Sequence, residues 1–239
     1  MSRFTSVEEG TRLAREALAI LGQASAELRP RGAGAPILMR HLGAVAVIAR
    51  ARALHEGAIR ETLAANPPAA LTVIRALVEV TAVANYLLRA PDYVELLVSE
   101  AAEPMGLRRR SMQWLIDKAV TDGHVGIGHL HAQLSDVAHF GADAAILPMR
   151  VRADEGHAWV GINTTPEWRS ETHMLNALAM IEEQTLVIAN LIHQYTERFI
   201  TPLLDDPERT ERDGHVFGRA TPAPHADESG TGEPVSGAE

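Results

Sequence analysis

Two oppositely charged residues lie one helical turn apart in the most apolar stretch of the chain. The segment AALTVIRALVEVTAVANYLL carries Arg75 and Glu79 among residues that are apolar nearly all round, which predicts a central, buried helix. An ion pair in such a helix needs further hydrogen-bond partners, because removing two charges from water can cost more free energy than their attraction returns. Thr72 and Tyr86 follow the same stripe and carry hydroxyl groups suited to this role.

A second polar segment, HLHAQLSDVAHFG, offers the remaining partners. His131, Ser135 and His139 follow one another at intervals of four, so they share one face of a helix predicted over about residues 128–140. We expect this face to meet the charged pair in the interior of a helical bundle. The predicted polar centre consists of Arg75, Glu79, Ser135, His139, His131 and Tyr86.

Two interpretations of this centre stay open. A buried ion pair tied to a serine and a histidine often specifies a fold, and the same groups can bind a ligand or carry out catalysis. A Ser–His–Glu hydrolase would need a strained G-x-S-x-G turn and an oxyanion-hole loop, which the sequence does not contain. The histidines also lack the paired Glu-x-x-His motifs of a di-iron bundle. We therefore predict no metal and no cofactor.

The rest of the chain predicts the helices that must position this centre. Ser6 and Glu9 form a capping-box pattern at the start of a first helix, and Asn66 followed by two prolines begins the third. Helices are predicted over about residues 6–28, 37–65, 68–89, 107–121, 128–140 and 167–200, with a short one in APDYVELLVSEAAEP. The predicted fold class is all-α, a bundle of about six to seven helices.

One segment between the last two helices changes its period. ILPMRVRADEGHAWVGIN alternates apolar and polar residues on both sides of DEG, which predicts a β-hairpin over about residues 146–163 with a three-residue turn. We therefore expect a single helical domain over residues 1–201 with this hairpin inserted.

The last helix carries the clearest stripe in the chain. Apolar residues recur at alternating spacings of four and three from Met174 to Phe199. Such a stripe packs along a long partner helix, in the same chain or in a second copy. We predict that it contributes to a homo-oligomer.

Composition and charge favour a cytoplasmic helical protein. The chain has 46% hydrophobic residues, only 4% aromatic ones and no cysteine. Its first residues lack the apolar core of a secretory signal, and it has no uncharged apolar run of about 18 residues, so no membrane span is expected. Nine acidic residues against three arginines after residue 200 predict a disordered acidic tail over residues 202–239.

The two polar segments support a resemblance. IRALVEVTAVANYLL, followed later by LSDVAHFG, resembles an uncharacterised bacterial all-helical family that carries R-x-L-x-E and L-S-x-x-x-H segments. The likeness covers roughly residues 36–200. It implies that Arg75, Glu79, Ser135 and His139 are the matching positions, and it implies no specific activity.

A weaker resemblance concerns the segment RARALH. Arg50 and His55 have the R-x4-H spacing of the HEPN ribonucleases, helical bundles of toxin and phage-defence systems. This resemblance implies an arginine and a histidine that grip and cleave an RNA phosphodiester. Our first expectation is a cytoplasmic helical protein that senses a small ligand or binds a partner protein. The alternative is a HEPN-like ribonuclease acting on RNA through Arg50 and His55.

Overall fold

The fold is a helical bundle with two short antiparallel strand pairs. The computed structural model describes residues 3–28, 35–98, 110–138, 149–154, 157–162, 167–213 and 216–219. Its long elements are α1 (Val7–Glu27), α2 (Met39–Leu63), α3 (Pro67–Leu87), α5 (Met112–Thr121), α6 (Val125–Ala138) and α7 (Glu171–Tyr195). The shorter ones are β1 (Pro36–Leu38), α4 (Tyr93–Val98), β2 (Met149–Asp154), β3 (His157–Ile162), a π-helical turn (Thr196–Ile200), α8 (Thr201–Leu204), α9 (Pro207–Asp213) and β4 (Val216–Arg219). The predicted all-α class is confirmed.

Helix starts follow the capping residues in the sequence. The Ser6 hydroxyl accepts the backbone N–H of Glu9 at 3.1 Å, which satisfies one of the free donors at the start of α1. Ser111 and Ser170 cap α5 and α7 in the same way. Pro67 stands in the first turn of α3, where its missing N–H costs no helical hydrogen bond.

Helices α3 and α7 form the centre of the bundle. Eleven of the 21 residues of α3 are buried, and α7 packs along α1 while it also contacts α2 and α3. Helix α4 packs closely against α2 at Gly43. A Cβ atom added to this glycine would lie 1.2 Å from Cγ2 of Val94. These contacts hold the helices around two apolar clusters, one that includes Leu77 and Ile188 and one that includes Ile74 and Leu178.

The stripe of α7 is covered within the chain. Its members from Leu178 to Tyr195 are fully buried, and α1 supplies much of the cover, with Leu178 lying close to Gly10. The sequence left open a partner helix in the same chain or in a second copy, and the structure shows α1, α2 and α3 of the same chain against this stripe. The stripe therefore gives no further support for a homo-oligomer, which stays a prediction.

The predicted hairpin is present as β2 and β3. Asp154 pairs with His157, so two residues connect the strands where the sequence predicted three. A second strand pair joins β1 to β4, with Ile37 opposite Gly218.

The boundary predicted at residue 202 is too early. Helix α8 spans it, α9 follows, Leu203 is buried, and β4 returns to pair with β1. The apolar Leu203 packs against the bundle, which the polar composition of the tail concealed. The predicted disorder of residues 220–239 lies outside the described residues.

Two described helical stretches are long and apolar enough to cross a membrane by length and composition. They are Pro67–Leu87 and Glu171–Leu204, and more than half of each apolar window is buried inside the bundle. A core helix of a water-soluble bundle passes the same test, so this is weak evidence for a span.

Candidate functional site

The charged pair of α3 lies at the interface with α6. Nη2 of Arg75 contacts Oε1 of Glu79 at 2.9 Å, and Nε2 of His131 lies 3.3 Å from the same oxygen. His131 is 7% exposed, whereas the side chains of Arg75 and Glu79 are 22% and 24% exposed. The pair, which the sequence predicted in the interior of the bundle, is thus only partly buried. It lies on the flank of α3 that faces α6, within reach of solvent.

Ser135 lies one turn beyond His131 on α6. Its Oγ atom is buried and has no hydrogen-bond partner among the described residues. We name the set Arg75, Glu79, His131 and Ser135 the polar seam.

The seam ends at an open cleft of about 350 Å³. Leu71 of α3 and Val137 of α6 both line this cleft, while His131 contacts Glu79 further along. The two helices therefore run antiparallel here, and Arg75 and Ser135 lie on the stretch between that contact and the cleft. Trp168, Arg169, His173, Asn176 and Met180 complete the described lining.

The other two predicted members of the polar centre, Tyr86 and His139, differ in their outcome. His139 lies outside the described residues. Tyr86 packs edge-on against Tyr93 and Trp114, with ring centroids 4.9 and 5.1 Å away. Thr72 is exposed and donates its hydroxyl to the carbonyl of Pro68, so it is turned to its own helix.

Arg50 and His55 do not converge on a common site. Arg50 is exposed, whereas His55 is fully buried and its Nδ1 lies 2.7 Å from Oγ1 of Thr185. Five residues on a helix turn the chain through about 140°, so the two side chains leave α2 on different faces. No surface of the described chain offers both groups to one phosphodiester.

The buried contact of His55 is a feature that sequence reasoning missed. The Thr185 hydroxyl donates to the carbonyl of Ile181 at 2.8 Å, so it accepts the Nδ1–H of His55. Burial lowers the pKa of His55 to about 4, against a smaller opposite effect of Glu56, so the ring is neutral at pH 7. The signal was present: in the α7 stripe, Thr185 is the single polar position between Ile181 and Ile188.

No group of three or more metal-ligating side chains occurs within the part of the chain that the structure describes. Comparisons with protein-family models, with curated proteins and with solved structures give no match for this chain. The fold defines an all-helical bundle, which agrees with the resemblance to an uncharacterised helical family in fold class alone.

Proposed function

We propose that this chain is a cytoplasmic ligand-binding protein whose cleft, at the end of the polar seam, takes a small and largely apolar molecule with a hydrogen-bonding group. The observation that carries the proposal is the position of the seam. Its partly buried charged groups and the Ser135 hydroxyl, which has no partner among the described residues, lie next to an open cleft that Leu71 and Val137 line. Sites for small molecules commonly combine an apolar wall with a few polar groups.

The seam suits ligand binding for an energetic reason. The buried Ser135 hydroxyl has no partner among the described residues, and a buried hydroxyl left unpaired costs about 1 to 3 kcal/mol. A ligand atom or a bound water next to Ser135 would recover that free energy. Arg75 and Glu79 are each about a quarter exposed or less, so they are accessible and yet partly shielded from solvent.

The cleft supplies the complementary surface. Leu71, Val137, Trp168 and Met180 form its apolar part, and the indole N–H of Trp168 is held by the carbonyl of Thr62 at 2.9 Å. This bond fixes the ring as a wall of the cleft. A volume of about 350 Å³ is at the lower end of the range for small-molecule pockets.

Native mass spectrometry of the purified protein tests the proposal. We expect an adduct of small-molecule mass, which Asn176→Trp removes by filling the rim of the cleft. Glu183→Trp adds the same bulk at another exposed position of α7, away from the cleft, and should keep the adduct.

If the ligand is lost during purification, a thermal-shift screen can detect binding instead. It measures the melting temperature with small apolar carboxylic acids, amides and alcohols. Stabilisation of the wild type and of Glu183→Trp, but not of Asn176→Trp, supports the cleft. No adduct and no stabilisation in the wild type overturns the proposal, as does an equal response of both variants. If a protein copurifies with the wild type but not with Asn176→Trp, the cleft binds a partner protein and the small-ligand proposal is overturned.

A further inference from the structure

A polar groove lies at the opposite end of α3 and α7 from the cleft. It has a volume of about 590 Å³, and its lining includes Asn85, Arg89, Asp122, His124, Gln194 and Arg198. The cleft, by contrast, is lined by Leu71 and His173 from the first turns of the same helices. The two openings are therefore separate.

The floor of this groove is a fixed arginine–carboxylate pair. Asp122 has a side chain that is 6% exposed, and it binds both Nε and Nη2 of Arg89. Asn85 donates to the same carboxylate at 3.0 Å, and Nζ of Lys118 lies 3.6 Å from it. The Arg89 side chain is 52% exposed, so two of its nitrogens bind Asp122 while the rest of the guanidinium remains accessible from the groove.

Asp122 is charged at neutral pH and holds this geometry. Burial opposes its ionisation, but the hydrogen bonds from Arg89 and Asn85, with the charges of Arg89 and Lys118, lower the pKa of Asp122 on balance. Among the lining residues Asp122 balances the charge of Arg89, so Arg198 supplies the unbalanced positive charge of the described lining.

Arg198 adds a second guanidinium from the other wall. It is exposed, and its guanidinium carbon lies 5.2 Å from the ring centroid of Phe199, which also lines the groove. Arg198 belongs to the π-helical turn that interrupts the long helix after Tyr195, and such turns are frequent at functional sites. Its neighbour Glu197 is exposed but is not among the residues that line the groove.

We infer that this groove binds a small polar molecule that carries a phosphate or carboxylate group between Arg89 and Arg198. Arginine pairs well with both anions because its planar fork matches their geometry. The groove is much larger than a single anion, and the exposed amides of Asn190 and Gln194 offer donors and acceptors to hydroxyl groups of the rest of the ligand. The chemistry fits a phosphorylated sugar or a hydroxylated carboxylic acid.

Calorimetry with four probes at constant ionic strength tests this inference. The probes are glucose 6-phosphate, citrate, inorganic phosphate and uncharged glucose. We expect saturable binding of glucose 6-phosphate or citrate, weaker binding of inorganic phosphate and none of glucose. Arg198→Gln should weaken the binding roughly tenfold or more. Arg198→Lys, which keeps the charge and loses the fork, should fall in between.

Arg12→Gln is the matched control. Arg12 is an exposed arginine of α1 that pairs with Glu16 and does not line the groove. Its change to glutamine alters the net charge by the same amount as Arg198→Gln. Binding unchanged in Arg12→Gln supports the groove, and an equal loss in both variants shows a general charge effect and overturns it. Absence of saturable binding of every anion to the wild type overturns it as well. Binding of phosphate probes but not of citrate, or the reverse, identifies which anion the groove takes.

Discussion

The polar seam and the buried His55–Thr185 contact both place polar groups between helices, but they differ in access to solvent. His55 is fully buried, and its partner Thr185 belongs to the α7 stripe. The side chains of Arg75 and Glu79 are 22% and 24% exposed. Polar groups enclosed by the core serve the stability and uniqueness of the fold. Arg75 and Glu79, by contrast, lie where solvent reaches them, which is the position that the proposed ligand site requires. The comparison predicts opposite responses to mutation in the two regions.

The largest effect is expected for His55→Ala. Removing a fully buried ring opens a cavity in the packed core, so the free energy of unfolding should fall by about 2 to 4 kcal/mol, the range for large-to-small core changes. Urea denaturation followed by circular dichroism measures it. Arg50→Ala, five residues earlier on the exposed face of α2, should stay within about 0.5 kcal/mol of the wild type. Equal effects of the two changes would contradict the burial of His55.

Acid should weaken the region around His55. Its pKa is lowered to about 4 in the folded protein, while an unfolded histidine titrates near 6.5. Between these values the unfolded state binds the proton and the folded state does not, so stability is complete above about pH 6.5 and falls as the pH drops toward 4. The loss is about 1.4 kcal/mol per pH unit in that window.

His55→Gln isolates this contribution, because glutamine is neutral at every pH and retains a donor for Thr185. The slope of unfolding free energy against pH between 4.5 and 6.5 should be smaller in His55→Gln than in the wild type. Identical slopes would assign the acid sensitivity to other groups, among them His41, whose pKa burial also lowers.

A smaller effect is expected in the polar seam. Arg75→Leu and Glu79→Leu should each cost about 1 to 2 kcal/mol, below the 3 to 5 kcal/mol of a fully buried pair, because solvent reaches both side chains. The double change should recover part of this loss, with a coupling of about 0.5 to 1 kcal/mol in a double-mutant cycle. If either single variant lost more than about 3 kcal/mol of unfolding free energy, the seam would behave as a buried pair and would not differ from the His55–Thr185 contact.

The smallest effect is expected for Ser135→Ala. The variant removes a buried hydroxyl that has no partner among the described residues, so the melting temperature should hold or rise slightly. Any adduct detected for the wild type should weaken. A clear loss of stability together with unchanged ligand binding would show that Ser135 serves the fold.

Much of the architecture followed from local signals in the sequence. Ser6 and Pro67 mark helix starts through capping chemistry that depends on a few neighbouring residues, whereas the caps Ser111 and Ser170 place two helix starts later than the predicted residues 107 and 167. The alternation around DEG marks the hairpin for the same reason. Within the seam, helical spacing alone put Arg75 beside Glu79 and His131 beside Ser135.

The contacts between distant segments were decided by the tertiary structure. Sequence spacing places Arg50 near His55 along the chain, but only the packing of α2 against α7 encloses His55 and leaves Arg50 in solvent. The return of β4 to β1 and the meeting of Arg89 with Asp122 join segments whose separation leaves no periodic trace. A sequence determines local conformation through short-range capping, turn and periodicity rules, whereas burial and long-range pairing depend on how whole helices stack, which no local pattern encodes.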